Sequence, residues 1–403
     1  MKTEPGSITA PKGFAATGVA CGLKKDNRLD LALLVSEVPA TVAGVFTQNV
    51  VKGHSLQRTM DCIRSGLASA VVINSGNANA CVGQQGYADA EMMADLVARE
   101  LGCPVEYVMT GSTGVIGKRL DLEAIHGGIL EACANLSSSW EAGHLAELAI
   151  MTTDLVPKEC MVQLTIDGHP VTVAGMAKGS GMIHPNMATM IGLITTDAAV
   201  DQKILAELLR QTTNQTFNRV SVDGDTSVCD MVLALANGRS GAPAIHSIDS
   251  PAAQELAKAF LLVSTELARA IARDGEGATK LVEIQCQGAK TAGDAFKIVL
   301  AVGKSPLVKT AIYGEDANWG RILTAAGYSG ADFDPEGCDI YLGDLMVCQN
   351  GTALPFDEDQ AKKILQNQDI LIRIVLRDGQ ASDHLWTCDF SYDYVKINGS
   401  YRT

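Results

Sequence analysis

The chain has 403 residues, is 47% hydrophobic and 19% charged, and carries a net charge of −14, a size that admits roughly two to three core-sized units. The acidity excludes the Lys/Arg stripes that a nucleic-acid partner needs for its phosphates. Apolar stretches are cut by Gly, Thr or charge well before the ~20 residues that cross a bilayer, so no membrane partner is expected.

In chain order, strands are expected at 31–35, 43–46 and 70–73, the last running into the loop Asn74-Ser75-Gly76-Asn77-Ala78-Asn79. From 87 to 101 the period becomes helical, with Met92, Leu96 and Val97 on one face and Gly102 as a stop signal. Residues 163–166 and 171–173 read as a hairpin around Asp167-Gly168, a pair that supplies the positive φ a tight turn needs. A helix is expected near 201–211. A stronger one follows Ser250-Pro251 and repeats through Leu256, Phe260, Val263, Leu267 and Ile271. The last third alternates strands (340–342, 345–347, 370–376, 385–388) with helices near 293–302 and 358–365. Hairpins are expected at Asn350-Gly351 and Asp378-Gly379, which favours an α+β layered fold over a doubly wound parallel sheet.

Eleven cysteines with irregular spacing and no Cys-x-x-Cys pair read as reduced, mostly buried thiols. No His-x-x-x-His or similar ligand spacing calls for a metal. The N-terminus, Met1-Lys2-Thr3-Glu4-Pro5-Gly6, lacks an apolar signal core and an Arg-rich transit pattern, which points to the cytoplasm. The Asn-x-Ser/Thr sequons at Asn135, Asn214, Asn350 and Asn398 read as chance.

Chemistry concentrates in Lys178-Gly179-Ser180-Gly181-Met182-Ile183-His184-Pro185-Asn186-Met187-Ala188-Thr189-Met190. Glycines at 175, 179 and 181 let the backbone approach another group closely, and Pro185-Asn186 favours a turn just before a small residue and a threonine. A hydroxyl held against the preceding carbonyl can attack it in an N→O acyl shift. Hydrolysis of the ester then frees an α-amine, with a reference pKa of ~7.7–8.0, beside its own nucleophile. On pattern alone, a plain loop remains the commoner reading of such a segment.

The segment resembles the processing site of the ornithine acetyltransferase family. Similar stretches are Val45-Phe46-Thr47, Asn74 to Cys81, Gly111-Ser112-Thr113-Gly114-Val115-Ile116-Gly117, Met151-Thr152-Thr153-Asp154, Ser221-Val222-Asp223-Gly224-Asp225-Thr226-Ser227, Gly275-Glu276-Gly277-Ala278-Thr279-Lys280, Glu315 to Arg321 and Tyr401-Arg402-Thr403. The resemblance implies a layered αββα sandwich-like fold shared with self-processing aminopeptidases. It implies a cut between Ala188 and Thr189, giving an α chain of residues 1–188 and a β chain of residues 189–403. Thr189 is then the acyl-accepting nucleophile, and Thr113 with Gly114 forms the oxyanion hole, where losing one donor costs on the order of 3–4 kcal/mol.

The same resemblance makes Thr153, Lys178, Thr189, Glu276, Asn398 and Thr403 substrate ligands. Lys178 suits a carboxylate and Glu276 an amino group. Without it, Thr153 reads as a helix cap, Glu276 as part of a C-cap loop and Lys178 as a solvated lysine. His184 before Pro185 reads as a turn residue, because a threonine with its own amine needs no second base. One departure stands out: Val228-Cys229 precedes Asp230 where the family usually has Thr-Asn.

The implied reaction is cofactor-free ping-pong transfer of acetyl from N2-acetyl-L-ornithine to L-glutamate in arginine biosynthesis, with acetyl-CoA as a second donor in part of the family, and the implied assembly is (αβ)2. The rival enzyme is a self-processed amidase or aminopeptidase with water as acceptor. The rival from another class is a non-catalytic amino-acid-binding protein that stays uncut.

Overall fold

The computed structural model describes residues 1–184 and 190–400. Its first sheet is built from β1 (Phe14–Val19), β2 (Leu31–Phe46), β3 (Leu67–Asn77), β4 (Val108–Val115), β5 (Glu159–Ile166), β6 (His169–Lys178), β7 (Ile191–Thr196) and β8 (Met231–Ala236). The order is β4-β3-β2-β8-β7-β6-β5, with β1 against β2. The strands expected at 31–35 and 43–46 are one strand: its first part pairs with β1 and its last with β8, and its register with β3 shifts between Val35 and Ala40. Every residue of β7 and β8 is buried, as a parallel pair covered on both faces requires.

The second sheet holds β9 (Leu281–Ala289), β10 (Asp339–Leu342), β11 (Leu345–Gln349), β12 (Thr352–Ala353), β13 (Asp369–Val375) and β14 (Ala381–Cys388) in the order β12-β11-β10-β13-β9-β14. Asn350 and Gly351 take φ of 50° and 67° and close β11 onto β12 as expected. The Asp378-Gly379 hairpin is a correction. β14 passes β13 and pairs antiparallel with β9, which itself runs parallel to β13.

Helices α1 (His54–Cys62), α2 (Gln85–Leu101), α3 (Leu122–Ala134), α4 (Trp140–Ile150), α5 (Gln202–Gln215) and α6 (Pro251–Arg273) pack on the first sheet. Helices α7 (Ala292–Gly303), α8 (Pro306–Tyr313), α9 (Trp319–Gly327) and α10 (Glu358–Leu365) accompany the second, and α11 (Tyr392–Ser400) ends the described chain. Mixed sheets flanked by helices make this an α+β layered fold. Ser250 caps α6 by accepting from the Ala253 N–H, and Pro251 occupies the first turn. Leu256, Phe260, Val263, Leu267 and Ile271 are all at most 1% exposed, each contributing about 1.5–3 kcal/mol of burial. That stripe packs on β5 and β6 and reaches β9 and β14, so α6 joins the two sheets.

In α2 the core-facing methionine is Met93 at 0% exposure, whereas Met92 is 45% exposed, one position away from the expected face. All eleven cysteines are free thiols. No helix among the described residues is long and apolar enough to cross a membrane.

Candidate active site

The β5–β6 hairpin closes through Asp167 and Gly168, both at positive φ, and delivers Lys178 at the end of β6, 3% exposed. Two nearby glycines have identifiable neighbours. A Cβ on Gly175 would lie 2.6 Å from Val263 and 2.9 Å from Leu267, so this glycine lets α6 lie flat on β6. One on Gly181 would lie 2.3–2.5 Å from the Glu276 carboxyl group, so the backbone at 181 abuts that side chain. Met182 has φ 58°, rare for a side chain of its kind. Asp223 holds it there, accepting from the N–H groups of Met182 (2.6 Å), Ile183 (3.1 Å) and Asp225 (3.2 Å).

Thr113 and Gly114 come from β4. Gly114 has φ 125°, and a Cβ there would lie 2.6 Å from the Gly76 carbonyl carbon, because β3 crowds against it. Behind them runs a buried polar chain. Asn79 donates to Ser55 Oγ (3.1 Å), Ser55 and Ser112 share a hydrogen bond (2.7 Å), and Ser112 donates to Asn74 Oδ1 (2.6 Å). Since Ser112 spends its proton on Asn74, Ser55 donates to Ser112, and the chain fixes the backbone beside Thr113.

Glu276 follows α6 in a turn pinned by its own N–H to the Ser180 carbonyl (3.1 Å) and by Ser180 Oγ donating to the Asp274 carbonyl (2.7 Å). Its carboxylate accepts from Asn398 Nδ2 of α11 at 2.8 Å. A cavity of about 130 Å³ is lined by Thr113, Gly114, Thr153, Lys178, Glu276 and Asn398, together with Met182, Asp223, Asp225, Val228, Cys229 and Tyr394 among others. Six residues expected at the site from separate parts of the sequence therefore meet in one cavity. The remaining ones, Ala188, Thr189 and Thr403, lie outside the described residues. Just beyond residue 189, Met190 donates its N–H to the buried Asp230 carboxylate at 3.0 Å.

Electrostatics divide the cavity. Burial pushes the Asp223 carboxyl up to about 6, aided by the charges of Asp225 and Glu276 and opposed by its backbone donors. Burial also pushes the Asp154 carboxyl up, but the Lys178 and Lys158 ammonium groups outweigh it and hold Asp154 well below its ordinary value. His184, held 3.1 Å from Ser221 Oγ, is pushed down to about 4 by burial and by Lys304, so its imidazole is neutral at physiological pH. At the departure from the family pattern, Cys229 is 7% exposed and its thiol contacts the Ala78 carbonyl at 3.4 Å. Burial and Asp230 raise its pKa, so a neutral thiol stands where the resemblance implies an amide.

A larger groove of about 830 Å³ lies along β9 and β14, and its Arg219 is engaged in a two-pronged pair with Asp383 at 2.8 and 2.9 Å. It holds none of the expected site residues. The smaller cavity, far below the roughly 300–1,000 Å³ of a drug-sized pocket, suits a molecule of amino-acid size. Asp223, Asp154, Lys158 and Asp274 were not singled out as site residues. A partner 120 positions away, as Asp274 is from Asp154, cannot be read from spacing.

Known proteins resemble this chain over most of its length. Residues 15–403 match the ArgJ family. The chain is 50% identical over 405 residues to the arginine biosynthesis bifunctional protein ArgJ of Symbiobacterium thermophilum, covering all of both chains. It is 46% identical over 399 residues to the protein of that name from Bacillus subtilis, covering 99% of this chain and 97% of the other. A crystal structure of the arginine biosynthesis bifunctional protein argJ from Bacillus halodurans superposes with a TM-score of 0.50 at 41% identity, over 51% of this chain and 97% of that one.

Proposed function

The chain belongs to the ArgJ family, and from that premise we propose a residue-level account of how it passes acetyl from N2-acetyl-L-ornithine to L-glutamate in arginine biosynthesis, with acetyl-CoA as a second donor. The observation that carries it is the convergence of Thr113, Gly114, Thr153, Lys178, Glu276 and Asn398 on one amino-acid-sized cavity.

The chain cuts itself between Ala188 and Thr189 into residues 1–188 and 189–403, which stay together and assemble as (αβ)2 in the cytoplasm. In the Bacillus halodurans structure, 97% of the matched chain spans only 51% of this one, a length that fits one product of such a cut. The freed α-amine takes the Thr189 hydroxyl proton, and Oγ attacks the acetyl carbonyl. Thr113 Oγ–H and the Gly114 N–H stabilise the oxyanion. The tetrahedral adduct collapses, the proton passes from the α-ammonium to the departing amine, and ornithine leaves an acetyl ester on Thr189. The neutral amine of glutamate then attacks the ester, and the reverse proton transfers release N-acetylglutamate. Lys178 takes the carboxylate common to donor and acceptor. Glu276, steadied by Asn398, takes the cationic amine of the donor, with Thr153 and Thr403 completing the ligand set.

Thr189→Ala provides the test. It should give an uncut, folded chain with no acetyl transfer, while the wild-type protein gives two bands, the second beginning Thr-Met-Ile-Gly. Transfer to glutamate by Thr189→Ala at near the wild-type rate would rule out the covalent route. Release of free acetate without glutamate would turn the assignment towards an amidase.

A further inference from the structure

Lys158 lies just before β5, and its side chain is 0% exposed. Burying an ammonium requires partners, and it has two carboxylates, Asp154 Oδ1 at 2.8 Å and Asp274 Oδ2 at 2.6 Å, with the Val156 carbonyl as a third acceptor at 3.2 Å. Its aim is fixed from both sides of the backbone. Its N–H donates to Glu147 Oε1 at 3.0 Å, and its carbonyl accepts from the Ala177 N–H at 2.9 Å. Burial pushes the Glu147 carboxyl well above its ordinary value, against the pull of the Lys158 N–H and ammonium.

The two carboxylates lead to different parts of the cavity. Asp154 accepts from the Gly179 N–H (2.6 Å) and the Thr152 N–H (2.9 Å), and its Oδ2 stands 4.0 Å from Lys178 Nζ. Asp274 accepts from the Leu155 N–H (3.0 Å), and its carbonyl anchors Ser180, whose own carbonyl anchors Glu276. Lys178 and Glu276 are thus the two ends of a single chain of buried contacts whose centre is Lys158. The distances also divide the charge. Asp154 is held closely by Lys158 and only loosely by Lys178, which leaves the Lys178 ammonium available to a ligand carboxylate. Without Lys158, Lys178 would be the one described cation left within ion-pair distance of Asp154, with Lys24 acting on it from farther off, and would close onto it.

We propose that Lys158 is a positioning residue of the acetyl-transfer site, tying Asp154 to Asp274 so that Lys178 stays free for a substrate carboxylate and keeps its placement relative to Glu276. The inference rests on the reading of Lys178 and Glu276 as substrate ligands.

The test is a double-mutant cycle with Lys158→Met, Lys178→Ala and both together, measuring KM for N2-acetylornithine and kcat on the cleaved fraction. Lys158→Met should raise KM about tenfold with a smaller change in kcat, yet add less than about twofold on the Lys178→Ala background, because its effect runs through Lys178. Multiplicative KM effects in the two backgrounds, or a wild-type KM in Lys158→Met, would overturn the bridge alone. An unchanged KM in Lys178→Ala would overturn the ligand assignment and the bridge with it. Should Lys158→Met fail to fold, Asp274→Asn crossed with Glu276→Gln reads the other arm: non-multiplicative KM effects support the bridge, and multiplicative ones overturn it.

Discussion

Two buried lysines flank the turn that carries Glu276, and they are buried by different means. On one side Lys158 sits between two carboxylates. On the other, Lys309 is also 0% exposed, but among the described residues no carboxylate lies within ion-pair distance. Its ammonium donates to Thr387 Oγ1 at 2.8 Å and to the Cys388 carbonyl, and stands 4.5 Å over the Phe390 ring. Cys388 Sγ in turn backs Gly275, where a Cβ would lie 2.8 Å away. Burial lowers the pKa of both lysines. At Lys158, Asp154 and Asp274 more than offset it and raise the ammonium above its ordinary value. At Lys309 the more distant charges of Cys388 and Asp389 do not, and it falls below. The difference teaches that one turn can be held by an ion-paired post on one side and by a mere hydrogen-bond donor on the other.

The largest expected effect follows from that contrast. Lys158→Met strands two buried carboxylates and should cost about 3–5 kcal/mol in a denaturant titration. Lys309→Met, of similar volume, loses only neutral acceptors and should cost about 1–2 kcal/mol. Equal losses would erase the distinction.

A second probe leaves both lysines alone and presses on the turn between them. Gly181→Ala pushes the Glu276 carboxyl group away from the Gly181 backbone, and KM for acetylornithine should rise about tenfold, below the roughly hundredfold that a 1 Å misplacement can cost. A wild-type KM would place Glu276 outside substrate contact.

The smallest effect lies in the pH dependence of melting. Lys309 has a folded pKa below its unfolded value of about 10.4. The folded state therefore binds fewer protons, and this lysine's contribution grows as pH rises towards that value and is lost as pH falls through the lowered one. Lys158 has the opposite sign: its contribution is full below about 10.4 and is lost as pH rises through its elevated value. Lys309→Met should make the alkaline decline in melting temperature steeper, and an unchanged slope would mean that Lys309 is not held towards its neutral form.

What could be read in advance follows the range of the forces involved. Helix α6 was legible because a Ser-Pro start and a stripe of period 3.6 are local, as was the β5–β6 turn at Asp167-Gly168. Met92 was placed on the wrong face because neighbouring methionines differ by only one helical step. The Asp378-Gly379 turn was recognisable as a turn, but not its destination, since which strand β14 joins depends on β9 lying some ninety residues earlier. At the site, Lys178, Thr113 and Glu276 came from the family resemblance. The Asp154–Lys158–Asp274 bridge did not, because its charges meet only after α6 has brought residue 274 back to the end of β6.

The strand order has a consequence for how a severed chain would reassemble. Strands β7 and β8 lie between β2 and β6, so a cut between 188 and 189 leaves strands of the second piece inserted between strands of the first. The first sheet is then continuous in neither piece, while the second sheet belongs wholly to the second. While folded, the ladder from Val173↔Thr196 to Lys178↔Ile191 ties the first strand of the second piece to the last strand of the first. Once melted, the pieces diffuse apart and refolding becomes a two-body encounter that pays association entropy on top of loop closure. Recovery from heat should therefore depend on concentration in the cut enzyme and not in the uncut Thr189→Ala chain, which makes the lifetime of the working form a matter of unfolding rate as much as equilibrium.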